Sequence, residues 1–161
     1  MNEIERNILP KEFGDYLVEV QAWIHNEQVA DFLRKARTLL PHKDVRDIFI
    51  SSCQQDDQTI LKDLWIFSEG YCVKAKFLEA EKQREIMELT PLKGEAKCVH
   101  FAKQNYRFHT ESRRRTGTEA RLEISIKLEN DQTLDFEAVG AENCKHLLGI
   151  YWKYLAPLFP V

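Results

Sequence analysis

Leu122-Glu123-Ile124-Ser125-Ile126-Lys127-Leu128, the turn residues Asn130-Asp131-Gln132 and Leu134-Asp135-Phe136-Glu137-Ala138 form the stretch on which the reading of the fold turns. Apolar and polar residues alternate with period two on both sides of a polar break, the signature of an antiparallel hairpin with one face in a core. Just beyond, Gly140 opens a segment of helical period: Cys144, Leu147, Leu148, Tyr151 and Leu155 fall at i, i+3, i+4, i+7 and i+11, and Pro157 is expected to stop it. Ile150, Trp152 and Tyr154 widen its apolar surface, so this helix needs cover on more than one side.

Working back, period two holds for about ninety residues. Asp47–Ser52 reads as a first strand, Gln54–Gln58 as a turn, and Leu64–Phe67 as a second strand joined through Ser68-Glu69-Gly70 to a third. In that third strand Tyr71, Val73, Ala75 and Phe77 alternate with Cys72, Lys74 and Lys76, which predicts one buried and one wet face. Glu85–Leu89, ended by Thr90-Pro91, reads as a fourth strand, Glu95–Phe101 as a fifth, and Tyr106-Arg107-Phe108 as a short sixth. So many short strands with turn-like connections suggest a strongly bent sheet, a barrel or a sandwich.

Before residue 45 the period is helical. Phe13, Tyr16, Leu17, Val20, Trp23 and Ile24 form one stripe, and Val29, Phe32, Leu33, Ala36, Leu39 and Leu40 another. The five-residue step from Ile24 to Val29 rotates a helix by ~140° beyond a full turn, so either the chain breaks near His25-Asn26 or one helix turns its apolar face. Two antiparallel helices, the second capped by Asn26 and closed by Pro41, is the favoured reading. The fold class is therefore α+β: an N-terminal helical extension (1–44), then strands and a final helix (45–161).

Strands followed by a single amphipathic helix resemble the pleckstrin-homology-like superfold, in which the helix plugs a bent antiparallel barrel; the match covers roughly Val45 to Phe159. Leu64-Trp65-Ile66-Phe67-Ser68-Glu69-Gly70-Tyr71-Cys72-Val73 is similar to the early hairpin of GRAM and bacterial PH-like domains. Leu134–Val139 with Asn143-Cys144-Lys145-His146-Leu147-Leu148 is similar to the last strand and helix of PH, PTB and FERM third-lobe modules. The resemblance implies a binding module for phosphoinositides, peptides or proteins. Inositide binding is not carried over, because the first hairpin loop, Ser51 to Gln58, holds Asp56 and Asp57 and no base.

The chain's 23 Lys and Arg against 26 Asp and Glu give a net charge of −3 in 161 residues, a composition suited to a folded domain and poor for general nucleic-acid binding. The polar opening residues 1–7 do not resemble a secretory signal, and no apolar run approaches the ~18 residues of a membrane span, so a cytoplasmic location is expected. Cys53, Cys72, Cys98 and Cys144 stand 19, 26 and 46 positions apart, without zinc or redox spacing, and Cys72, Cys98 and Cys144 read as core fillers. His25, His42, His100, His109 and His146 appear singly, although His100 and His109 could meet across paired strands. No cofactor, metal or catalytic motif is expected.

One basic cluster interrupts the pattern: Lys103, Arg107, Arg113, Arg114 and Arg115, with His109, Tyr106 and Phe108 among them. It reads either as a site for an anion, nucleic acid or acidic partner, or as a solvated loop whose charge guards an edge while Tyr106 and Phe108 enter the core. Trp23, Tyr151, Trp152 and Tyr154 form a candidate apolar partner surface. The expected function is a non-catalytic module that binds a protein or peptide partner or its own copy. The alternatives are a small-ligand or anion-binding barrel, possibly enzymatic by its pocket, and an acidic-membrane or nucleic-acid contact through Arg113 to Arg115.

Overall fold

The computed structural model describes residues 16, 26–40, 45–55, 58–76, 86–92, 95–110 and 115–160, with strand residues 104–110 and 115–119 described by their backbone pairing. The chain is α+β. Helix α1 (Asn26–Leu39) precedes β1 (Asp47–Gln55), β2 (Gln58–Ser68), β3 (Tyr71–Lys76), β4 (Ile86–Pro91), β5 (Ala96–Thr110), β6 (Arg115–Leu128) and β7 (Thr133–Val139). Helix α2 (Ala141–Ile150) follows, continued by a π turn (Tyr151–Leu155) and a 3-10 turn (Ala156–Leu158). The described strands pair as two antiparallel sheets, β1-β2-β3-β4 and β5-β6-β7, and this pairing does not close into a barrel. Two compact units result: residues 1–50 with 61–92, and residues 51–60 with 93–161.

In the first unit, α1 packs on the four-stranded sheet. Val29, Phe32, Leu33, Ala36 and Leu40 share a core with Ile48, Ile50, Leu64, Ile66, Val73 and Ala75. This is the expected second stripe with one correction: Leu39, the last residue of α1, is exposed, and the next residue, Leu40, is buried in its place. Tyr16 joins the same core, and its hydroxyl oxygen accepts the Ile50 N–H at 2.9 Å. The other members of the first stripe, including Trp23, lie outside the described residues.

The expected wet face of β3 is corrected as well. Cys72 is fully buried, and so are Phe49, Trp65 and Phe67 on the same face of the sheet. Trp65 and Phe67 stack with centroids 6.4 Å apart, and the Lys74 ammonium sits 4.9 Å from the Trp65 ring, so a lysine here marks an aromatic contact. Burial pushes the Cys72 thiol up to about 12.

The β2–β3 turn is as expected: Glu69-Gly70 joins Ser68 to its partner Tyr71, and Gly70 takes φ 76°, open to glycine at little cost. Other boundaries move. Strand pairing extends the first hairpin, so most of the presumed Ser51–Gln58 loop is strand and only Asp56 and Asp57, outside the described residues, lie between β1 and β2. β4 runs on through Pro91, which is tolerated because β4 is the sheet's edge.

In the second unit the decisive hairpin stands as read. Leu122, Ile124, Ile126, Leu128, Leu134, Phe136 and Ala138 are buried on one face. Asp131 makes the turn at φ 66°, its N–H bonding Leu128 O at 3.0 Å, while Asn130 Oδ1 accepts the Gln132 N–H at 3.0 Å. Helix α2 packs against β6 and β7 after Gly140, at φ 93°, donates its N–H to Ala120 O at 2.8 Å. Pro157 does not end the helical path directly; it sits within the 3-10 turn, and the chain becomes extended at Phe159.

Candidate interaction surface

The expected fifth and sixth strands are one strand. β5 pairs with β6 without a gap from Cys98↔Lys127 to Thr110↔Arg115, so residues 103–110 and Arg115 are strand and not loop. Charged residues hid this, yet Asn105, Arg107 and His109 still alternate with Gln104, Tyr106 and Phe108, and threonines favour the opposing strand. Register puts Lys103, Arg107 and His109 on the face of β5 that opposes the Leu122 side of β6, while Arg115, opposite Thr110, belongs to the other face. Arg113 and Arg114 lie outside the described residues. His100 and His109 do not meet: both stand in β5, nine residues and about 30 Å apart.

β5 is an edge of its sheet, and it is open. From Lys97 to Lys103 no residue is buried, whereas β6 buries every second residue over the paired stretch. A bulge at Ala96/Cys98 makes Lys97 the extra residue, and its ammonium bonds Asp131 Oδ1 at 2.8 Å. That bond and its charge hold the Asp131 carboxyl below, and Lys97 above, the ordinary values. Cys98 is exposed, which corrects its reading as a core filler, while Cys144 is buried with its thiol directed at Ala138 O and Ala120 O.

An aromatic group stands beside the open edge. Phe101, 47% exposed, meets Tyr151 edge-on at 4.9 Å, and Tyr151 meets Trp152 edge-on at 5.2 Å. Tyr151 is buried and supports the other two; Trp152 is 69% exposed. The π turn begins here, with the Ala156 N–H bonding Tyr151 O, and such turns cluster at functional positions. Leu148, assigned above to the buried stripe, is exposed; the core side of α2 is instead Cys144, Leu147 and Ile150, continued by Tyr151 and Leu155. Beside Leu148 and Trp152 on the outer side of α2 lie the exposed Lys145 and Gly149, and a Cβ added at Gly149 would meet open space.

Of the expected apolar surface, then, Trp152 is open, Tyr151 is its support, Tyr154 is half-buried with the Lys153 ammonium 5.7 Å from its ring, and Trp23 is outside the described residues. Phe101 and Leu148 were missed. Lysines at both ends of the Lys97–Lys103 run were the available signal for Phe101, because lysine is a common guard of sheet edges.

Among the described residues no three His, Cys, Asp or Glu are grouped to hold a metal ion, and no helix is long and apolar enough to cross a membrane. Comparison with family models, with curated proteins and with solved structures finds no match.

Proposed function

We propose that this chain is a non-catalytic PH-like interaction module that takes an extended segment of a partner protein along β5, with an apolar side chain of that segment set against Phe101, Leu148 and Trp152. The order of four strands, three strands and a helix supports the superfold reading. The observation that carries the binding reading is the unburied run Lys97–Lys103 at a sheet edge next to the aromatic group. An open edge offers a row of backbone donors and acceptors, and an adjoining apolar site selects the segment that fills them.

A partner is favoured over a second copy. The bulge at Lys97 and the lysines at 97 and 103 are the devices by which an edge resists pairing with itself. The test is capture of partners on immobilised full-length chain, with Trp152→Ala and Phe101→Ser compared after both are shown to unfold at the wild-type temperature. Loss of a reproducible partner with both variants supports the reading. Retention of every partner by both removes it, and a dimer in light scattering that Trp152→Ala dissolves would transfer the surface to self-association.

A further inference from the structure

The walls of this surface have a charge property that the whole-chain average conceals. β5, Ala96–Thr110, contains Lys97, Lys103 and Arg107 and no Asp or Glu. From Asn143 to Val161 the chain contains Lys145 and Lys153 and again no Asp or Glu, although acids make up 26 of the 161 residues. The acids of β6 and β7 stand at positions on the far face of this sheet. Glu119 and Glu123 oppose Tyr106 and Ala102, and Asp135 and Glu137 oppose Ser125 and Glu123, all in register with the side away from Phe101. The aromatic side of β6 and β7 shows only Thr116, Thr118, Ala120 and the apolar residues from Leu122 to Ala138. Glu142, in the first turn of α2, is the nearest acid in sequence on the helix, and Asp131 is already paired with Lys97.

Segregation of this kind leaves the exposed Lys103 beside the apolar group with no carboxylate in its own strand, while the exposed Lys145 on α2 has Glu142 one turn before it. Farther along the same face of β5 stand the positions of Arg107 and His109. Among the described residues of β5, an extended segment laid here meets the exposed Lys103 and then the positions of Arg107 and His109, so an acidic one is matched and a basic one is repelled. We infer that the partner segment is acidic: an extended peptide with one apolar anchor and Asp or Glu on its flanks. This rests on the interaction-surface reading above. The exposed backbone edge favours a peptide over a nucleic acid, since strand addition uses N–H and C=O groups that a nucleic acid does not offer in that spacing.

The test is a library of nine-residue peptides with a fixed central Leu, Phe or Trp and random flanks, presented to the full chain. Lys103→Glu/Lys145→Glu, Trp152→Ala and a (dT)15 oligonucleotide serve as further arms. The expected result is enrichment of Asp and Glu in the flanks, binding that falls by about tenfold when salt is raised from low to high, and inversion of the preference toward Lys and Arg in the double variant. Retained peptides with neutral flanks, unchanged by the double variant, would overturn the inference while leaving the interaction surface standing. Peptides held equally by wild type and Trp152→Ala, or no retained peptide at all, would remove the surface itself. Tighter retention of (dT)15 than of any peptide would overturn the acidic-peptide assignment in favour of nucleic acid.

Discussion

The two sheets differ in whether they leave aromatic surface open. In the four-stranded sheet Phe49, Trp65 and Phe67 are buried on one face while Ile48, Ile50, Leu64 and Ile66 are buried on the other. In the three-stranded sheet one face is apolar and buried along β6 and β7, the other is polar, and the β5 edge carries a half-exposed Phe101 next to an exposed Trp152. A sheet covered on both faces has its side chains committed to packing and works as scaffold. A sheet with an open edge and a supported aromatic group has surface left to offer.

The largest test of this contrast is a pair of phenylalanines. Phe67→Ala empties a fully buried site and is expected to cost about 3–5 kcal/mol in denaturant unfolding, whereas Phe101→Ala should cost under about 1 kcal/mol. Similar costs at the two positions would break the distinction.

Alkaline pH gives a second, smaller handle on the buried sheet. Burial raises the Cys72 thiol from 9.0 to about 12 and lifts the Tyr16 hydroxyl well above its ordinary 10.0, so both stay protonated in the folded protein when the unfolded chain begins to release its protons. Their contribution is therefore complete below pH 9 and is lost as pH rises toward 12, by up to about 1.4 kcal/mol per pH unit for each group. Unfolding midpoints measured from pH 8 to 11 should fall, and Cys72→Ala should flatten the decline. A thiol reagent at neutral pH should label Cys98 and spare Cys72 and Cys144 until the chain unfolds.

Two glycines should respond with opposite signs. Gly70→Ala forces a side chain into φ 76° and should cost about 1–2 kcal/mol, although space is free there. Gly149→Ala, inside α2 with open space around the new carbon, should gain about 0.5–1 kcal/mol. The smallest effect is expected at the exposed Asp131–Lys97 pair: Asp131→Asn keeps a residue tolerant of φ 66° and should leave the unfolding midpoint unchanged at physiological salt.

What could be read from residues alone follows these physical lines. Leu122 to Ala138 was legible because each strand buries one face only, so period two survives in the sequence. Val29 to Leu40 was legible for the same reason at helical period, apart from Leu39. Cys72 was not, because burial on both faces removes the contrast that alternation depends on. The long β5 was obscured by its charge: Lys103, Arg107 and His109 look like loop residues unless Leu122, Thr118 and Thr116 are known to pair with them. Trp152 was singled out from excess aromatic surface on a short helix, whereas Phe101 alternates with Val99 as a core residue would, and only its place at an edge makes it accessible.

The Tyr16–Ile50 hydrogen bond has a consequence for how this chain avoids aggregation. β1 is an outer strand of its sheet, and Tyr16 occupies the Ile50 N–H at 2.9 Å from within the core. A phenolic oxygen thus takes up one backbone donor of that outer strand, where β5 carries lysine and a bulge as its guards against edge pairing. Tyr16→Phe strands one buried donor at a cost of about 1–3 kcal/mol. Removing the leading segment would free that donor and take Tyr16 out of the core, so insolubility of such a truncation would reflect these losses in the first unit and not the surface on β5.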